Sequence, residues 1–131
     1  MSSTLTTCGC SCSSGPNLIF SCSGAADVGE LADQAARKLN REGRGKMFCL
    51  AGIGGQVSGI VKTTEAASSI LAIDGCSLVC AKKSLEVAGF TKFNHIVISE
   101  LGFEKGNTDV SPKAIDSVVN DAMKFLQLEC Q

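Results

Sequence analysis

The sequence predicts a small three-layer α/β domain, in which a mostly parallel four-stranded sheet is covered by helices on both faces. Short apolar runs alternate with segments of helical periodicity along nearly the whole chain. Each apolar run is almost uninterrupted, as expected of parallel strands that are buried on both faces. The 131 residues are enough for one such domain with its own core.

The first half of the chain predicts two strands and the helix between them. The run NLIFSC (17–22) is the first strand, and KMFCLAGI (46–53) is the second. The helix between them carries apolar residues at helical spacing, namely Val28, Leu31, Ala32, Ala35 and Leu39. Asp27 with Glu30 three residues later resembles a capping box at its start, and REGRG ends it.

The second half predicts two more strands and three helices. In chain order the segments are VKTTEAASS (61–69, short helix), SILAIDG (69–75, strand), CSLVCAKKSLEVAG (76–89, helix), HIVISELG (95–102, strand) and a last helix. Gly89 closes the third helix as a cap, and Ser111 followed by Pro112 starts the last one. The pattern is Rossmann-like or flavodoxin-like, with a strand order that the sequence does not define.

Composition excludes several classes of protein. The net charge is −1 and the only aromatic residues are six Phe, so no nucleic-acid partner is expected. No apolar run approaches the ~18 residues of a membrane span, so no membrane association is expected. Residues 1–16 are rich in Ser, Thr, Gly and Cys, lack the pattern of a secretory signal, and predict a flexible tail. One domain over 17–131, located in the cytoplasm, is therefore expected.

The cysteines are the main functional signal. Eight of the 131 residues are cysteines, a smaller share than the ~8–10% of cysteine that is typical of small disulfide scaffolds. In a reducing compartment they are expected to be free thiols, metal ligands or redox groups rather than disulfides. The chemistry of these thiols therefore decides the function.

Four cysteines are predicted to converge at one edge of the sheet. Cys22 ends the first predicted strand, Cys49 lies within the second, and Cys76 follows the third. Parallel strands place all their carboxyl ends at one edge, where open α/β sheets bind ligands. Cys80 lies four residues after Cys76, on the same face of the predicted helix, so both thiols can share one ion.

The start of this predicted helix suits thiolates, because its free N–H groups and dipole favour negative charge. Lys82 and Lys83 are expected to offset part of that charge. Leu78, Ala81, Leu85 and Ala88 form the predicted sheet-facing stripe, and Cys76 and Cys80 point away from it. The alternative is that these thiols are inert packing residues, since cysteine is often a small buried hydrophobe.

The remaining candidates carry weaker signals. Cys8, Cys10 and Cys12 in the tail could chelate a metal, donate a ligand to the main site or have no specific role. Cys130, close to the C-terminus, is expected to be idle. His95 begins the fourth predicted strand, so we expect it at the edge opposite the thiols, with a structural role.

Several motifs, taken in order, resemble the DGC-domain family of zinc-binding proteins. They are FSCSGAADVGELADQAARKL, KMFCLAGIGG, ILAIDGCSLVCAKKSLEVAG and HIVISELG. The triplet Asp74-Gly75-Cys76 gives the family its name, and the resemblance covers roughly Leu18 to Leu128. It implies that zinc ligands lie at Cys22, Cys49, Cys76 and Cys80. It implies no reaction.

The leading hypothesis is a zinc site formed by Cys22, Cys49, Cys76 and Cys80, with Asp74 as an outer hydrogen-bond acceptor or nearby base. A second is a thiol redox protein, in which Cys76 is the nucleophile and Cys80 or Cys49 resolves the disulfide. A third is an iron–sulfur centre on the same thiolates. A fourth is an interaction domain with incidental cysteines. Whether the protein is an enzyme stays open, because only Asp74 is an evident acid or base beside the thiols.

Overall fold

The computed structural model describes residues 15–126, which form alternating strands and helices. The strands are β1 (Asn17–Ser21), β2 (Lys46–Met47), β3 (Ser69–Asp74) and β4 (Asn94–Val97). The helices are α1 (Asp27–Arg41), α2 (Leu50–Gly54), α3 (Ser58–Glu65), α4 (Cys80–Val87) and α5 (Pro112–Leu126), with a 3-10 helix at Ile98–Leu101. Within this range no helix is both long enough and apolar enough to cross a membrane.

The strands form one parallel sheet in the order β2-β1-β3-β4. The prediction of a small, parallel, four-stranded α/β domain is therefore confirmed, and the order is the flavodoxin-like one. The chain leaves β1 toward one side of the sheet and leaves β3 toward the other. The carboxyl ends of these two central strands therefore lie at the topological switch point, which is where open α/β sheets bind ligands.

Two apolar layers cover the sheet. One lies under α1 and α5, and its buried residues include Ile19, Leu31, Leu71, Ile73, Ile96 and Val118. The other lies under α2 and α4, and its buried residues include Leu18, Phe20, Ile53, Ile70, Ala72 and Leu85. Alternate residues of β1 and β3 thus point to opposite layers, which explains why both strands are apolar without interruption.

The second strand is much shorter than predicted. β2 ends at Met47, Phe48 still donates its N–H to Ile19 O at 2.9 Å, and Cys49 accepts the first N–H bonds of α2. Cys49 therefore follows the strand instead of lying within it. An apolar run of this length does not distinguish a strand from a buried helix, because both can be continuously apolar. The chain between β2 and β3 contains two short helices, where one was expected.

The third helix begins later than predicted. Cys76 to Val79 form a turn closed by Val79 N–H to Cys76 O at 3.1 Å, and α4 starts at Cys80. Val79 has φ 47°, a left-handed conformation that a β-branched residue rarely adopts. Leu78 is 58% exposed, so its predicted place in the sheet-facing stripe is wrong, whereas Ala81 and Leu85 are buried as predicted.

The predicted helix boundaries are confirmed at two other points. Ser111 Oγ accepts the N–H of Ala114 at 3.1 Å at the start of α5. Gly89 follows α4 with φ 98°, a conformation that is accessible to glycine without strain.

The predicted capping box at Asp27 and Glu30 is wrong. Asp27 is itself the first helical residue, and the Ala26 side chain makes no capping hydrogen bond. The Asp27 carboxylate accepts the N–H of Val28 and also binds a distant loop, which the sequence pattern does not reveal.

Candidate thiol site at the carboxyl edge

Cys22 lies between the ends of the two central strands. Its N–H donates to Ile73 O at 3.1 Å, which extends the β1–β3 pairing by one residue. Its sulfur accepts the N–H of Gly75 at 3.4 Å. The Cys22 thiol, which is partly buried, is thereby held against the β3 exit that leads to Cys76.

Cys76 begins the turn that precedes α4, and a lysine from elsewhere in the chain lies beside it. Lys105 donates through Nζ to Cys76 Sγ at 3.6 Å. Lys82, which was expected near the thiols, pairs with Glu86 at 3.1 Å. The cation next to this thiol is therefore supplied by the segment 102–111, which connects the 3-10 helix to α5 and which we call the strap.

Asp74, at the end of β3, fixes the start of α4. Its carboxylate accepts the N–H of Ala81 at 2.7 Å and that of Lys82 at 3.1 Å. No side chain at Val79 caps the helix, so Asp74 supplies the missing acceptor from the strand. Because Ala81 directly follows Cys80, this carboxylate positions the backbone that carries Cys80.

His95 is the partner of Asp74 that the sequence did not reveal. His95 Nε2 lies 2.8 Å from Asp74 Oδ2, and the Asp74 side chain is 1% exposed. The predicted position of His95, at the opposite edge, is wrong because β4 contains only four residues and pairs His95 with Ala72. His95 can therefore reach the end of β3, and only the strand register shows it.

Cys49 lies at the outer side of the same edge. It precedes α2, its side chain is exposed, and it lines an open cleft of 1160 Å³ together with Cys22. Cys80, the first residue of α4, is also exposed. Cys22, Cys49 and Cys76 thus each follow the carboxyl end of a strand of the parallel sheet, and Cys80 begins the helix after the third of these strands.

The four thiols do not form a preorganised metal site in the described part of the chain. All four are free thiols. Among residues 15–126, no three Cys, His, Asp or Glu side chains lie close enough together to hold a metal ion. The structure connects Cys22 to the β3 exit through Gly75 and places Cys22 and Cys49 in the lining of one cleft. Cys8, Cys10, Cys12 and Cys130 lie outside the described residues.

The strap is anchored to the start of α1. Asp27 accepts the N–H of Gly106 at 2.9 Å and of Thr108 at 2.9 Å, in addition to the N–H of Val28. The bonds from Gly106, then from Thr108, lower the pKa of the Asp27 carboxyl below its usual value. This anchor keeps Lys105 next to Cys76.

Gly75 is required where β3 passes α1. A Cβ atom at this position would lie 2.7 Å from the carbonyl carbon of Val28 and 2.8 Å from the N of Gly29. Both are backbone atoms, which cannot rotate away. The three residues of the DGC triplet therefore differ in role. Asp74 caps α4, Gly75 permits the close approach of β3 to α1, and Cys76 carries a thiol.

Comparison with known proteins assigns the family. The DGC domain matches residues 18–122, a range that contains Cys22, Cys49, Cys76 and Cys80. The anaerobic and virulence modulator AnvM of Pseudomonas aeruginosa is 38% identical over 88 residues, which cover 67% of each chain. No solved structure matches the sequence. The chain therefore belongs to the DGC-domain family.

Proposed function

We propose that the protein binds zinc through Cys22, Cys49, Cys76 and Cys80. The observation that carries this proposal is that four free thiols, from segments far apart in the chain, leave one parallel sheet at the same edge. Thiolates are the soft ligands that favour zinc, and four of them complete a tetrahedral structural site.

The exposed thiols must move for this site to form. Cys22 donates its N–H to Ile73, and Gly75, which directly precedes Cys76, donates its N–H to the Cys22 sulfur. The side chains of Cys49 and Cys80 are exposed and can turn toward them. Zinc would then link the segments after β1, β2 and β3. A four-thiolate site is closed, so we propose a structural, storage or sensing role in preference to catalysis.

The test is elemental analysis of protein that is purified anaerobically without chelator. We expect about one zinc per chain and four thiols that react with a thiol reagent only after chelation. Individual Cys22→Ser, Cys49→Ser, Cys76→Ser and Cys80→Ser variants should each lose most of the bound zinc. Cys130→Ser is the matched control and should retain it. Zinc that persists in all four site variants but disappears when Cys8, Cys10 and Cys12 become Ser would refute this site.

The relative is named as an anaerobic modulator, and this name agrees with a thiol site that responds to metal or oxidant. We therefore also propose a cytoplasmic location, where thiols stay reduced. That location keeps the cysteines available to bind a metal.

The second candidate is a thiol redox function, which the lysine beside Cys76 favours. An ammonium 3.6 Å from the sulfur attracts a thiolate and supports Cys76 as the attacking group, with Cys80 or Cys49 as the resolving thiol. A mild oxidant should then form a reversible Cys76 disulfide in metal-free protein, and Lys105→Gln should slow it. Failure to form that disulfide would eliminate this function.

The same thiolates would also suit an iron–sulfur cluster. Such a cluster predicts visible charge-transfer absorption in anaerobic protein. A colourless preparation that contains zinc rules this alternative out.

A further inference from the structure

The cleft next to Cys49 has a composition that zinc binding does not explain. It has a volume of 1160 Å³ and opens beside the edge strand β2. We call it the edge cleft, and its lining includes Cys22, Arg37, Arg41, Lys46 and Cys49. The charged side chains of its lining are three cations and one carboxylate, although the whole protein is nearly neutral.

The negative charge in the edge cleft is already engaged. Asp33 is the acidic side chain of its lining. One of its oxygens accepts a hydrogen bond from Ser23 Oγ at 2.7 Å, and the other accepts one from Arg37 Nε at 2.7 Å. Arg37 uses only Nε in that contact, so the rest of its guanidinium group is available to a ligand.

The other two cations, Arg41 and Lys46, have no acidic partner among residues 15–126. Within the described range, neither Arg41 nor Lys46 forms an ion pair, and Lys46 Nζ lies 5.9 Å from the centre of the Phe48 ring. An open cleft that carries more positive than negative side chains attracts anions and raises their local concentration.

The two thiols of the edge cleft differ in accessibility. Cys49 is exposed, whereas Cys22 is partly buried and its sulfur already accepts the Gly75 N–H. A reagent that enters the cleft therefore meets the Cys49 sulfur first. The cleft combines an accessible thiol with binding groups for anions.

We propose that the edge cleft binds a small disulfide that carries carboxylates, and that Cys49 exchanges with it. The Cys49 thiolate attacks one sulfur of the ligand, the ligand S–S bond breaks, and a mixed disulfide forms at Cys49. The other half of the ligand leaves as a thiolate, so the ligand disulfide is the oxidant and the step is balanced. The proposal extends the proposed function, since it assigns a ligand class to one of the same four thiols in metal-free protein.

The test compares two disulfides of opposite charge, glutathione disulfide and cystamine, on the metal-free full chain. The rate of adduct formation at Cys49 is measured by mass spectrometry of its peptide. Arg41→Gln combined with Lys46→Gln should slow the reaction with glutathione disulfide about 10-fold and should not slow the reaction with cystamine. The matched control is Lys62→Gln with Lys92→Gln, which removes the same charge outside the cleft and should change neither rate more than about twofold.

Salt provides a second measurement that needs no variant. Raising the ionic strength should slow the reaction of Cys49 with glutathione disulfide and not that with cystamine, because salt screens the attraction between the cationic cleft and an anionic ligand. The proposal would be overturned if the cleft variant slowed both disulfides equally. It would also be overturned if the control variant slowed glutathione disulfide as much as the cleft variant does, or if the first adduct formed at Cys80. The exchange is measured on metal-free protein, so its failure would not affect the test of zinc binding. Conversely, if the purified protein contained no zinc, the exchange at Cys49 could still be measured.

Discussion

Asp74 shows how one residue links the core to the thiol edge. Its buried carboxylate accepts two N–H groups at the start of α4 and contacts His95. Burial of a polar group costs free energy unless it is hydrogen-bonded, and these partners replace the hydration that Asp74 loses. The residue named first in the DGC motif therefore stabilises the segment that carries Cys80.

We expect Asp74→Ala to lower the free energy of unfolding by about 3 kcal/mol, because it leaves two helix N–H groups and His95 without their acceptor. Chemical denaturation measures the change. Asp109→Ala, at an exposed carboxylate of the strap, is the control and should cost less than about 0.5 kcal/mol. A similar small cost for Asp74→Ala would contradict the capping role.

Gly75 and Gly59 give a matched pair of substitutions. Gly75→Ala should cost about 1–3 kcal/mol, because the added methyl group meets the backbone at Val28 and Gly29. Gly59→Ala, in α3, adds a methyl group into open space and should leave stability unchanged or raise it by about 0.5–1 kcal/mol. Thermal unfolding of both variants distinguishes them, and the same sign for both would be inconsistent with the close approach at Gly75.

At the scale of elements, the position of the strap is fixed by its hydrogen bonds to the start of α1. Asp27 binds the strap through the N–H groups of Gly106 and Thr108, and the strap carries Lys105 to Cys76. A carboxylate that accepts several N–H bonds loses these interactions in part when it is protonated. The attachment of the strap should therefore depend on pH.

The pKa of Asp27 is lowered in the folded protein, mainly by the Gly106 bond and then by the Thr108 bond. Its stabilising contribution is therefore complete above the unfolded pKa of ~3.9 and is lost as the pH falls through the lower folded pKa. Denaturation midpoints between pH 7 and pH 2.5 should fall less steeply for Asp27→Asn than for the unaltered protein. Asp109→Asn serves as the control, and a slope for Asp27→Asn equal to that of the unaltered protein would rule out this anchor.

At the scale of the whole molecule, the thiols come from three different strand exits. A zinc ion bound to all four would link segments that separate on unfolding. At a free zinc concentration of about 100 times the dissociation constant, the folded state gains about 2.7 kcal/mol. The melting temperature should rise accordingly and return to its original value with chelator.

Cys49→Ser should remove most of that rise, while Cys130→Ser should keep it. Differential scanning calorimetry with zinc and with chelator measures both. A zinc-induced rise of equal size in Cys49→Ser would show that the ion binds elsewhere.

Periodicity was sufficient to predict the sheet, because β1 and β3 are apolar without interruption and α1 and α5 are amphipathic. It failed at Leu78 and Cys49, where apolar residues occur in turns and short helices. It also failed at His95, since the position of a residue relative to another strand depends on the register. Strand topology and the resemblance to a known family both predicted the same four thiols, but no local sequence pattern predicted the hydrogen bonds around them.

The sequence by itself determined the fold class and the edge at which the cysteines lie, because parallel strands necessarily end together. Only the tertiary structure decided that Asp74 caps α4, that Lys105 lies beside Cys76 and that cations surround the cleft at Cys49. These contacts join residues of different elements, and their distances depend on strand order, register and the path of the strap. Local residue preferences contain no information about such distances.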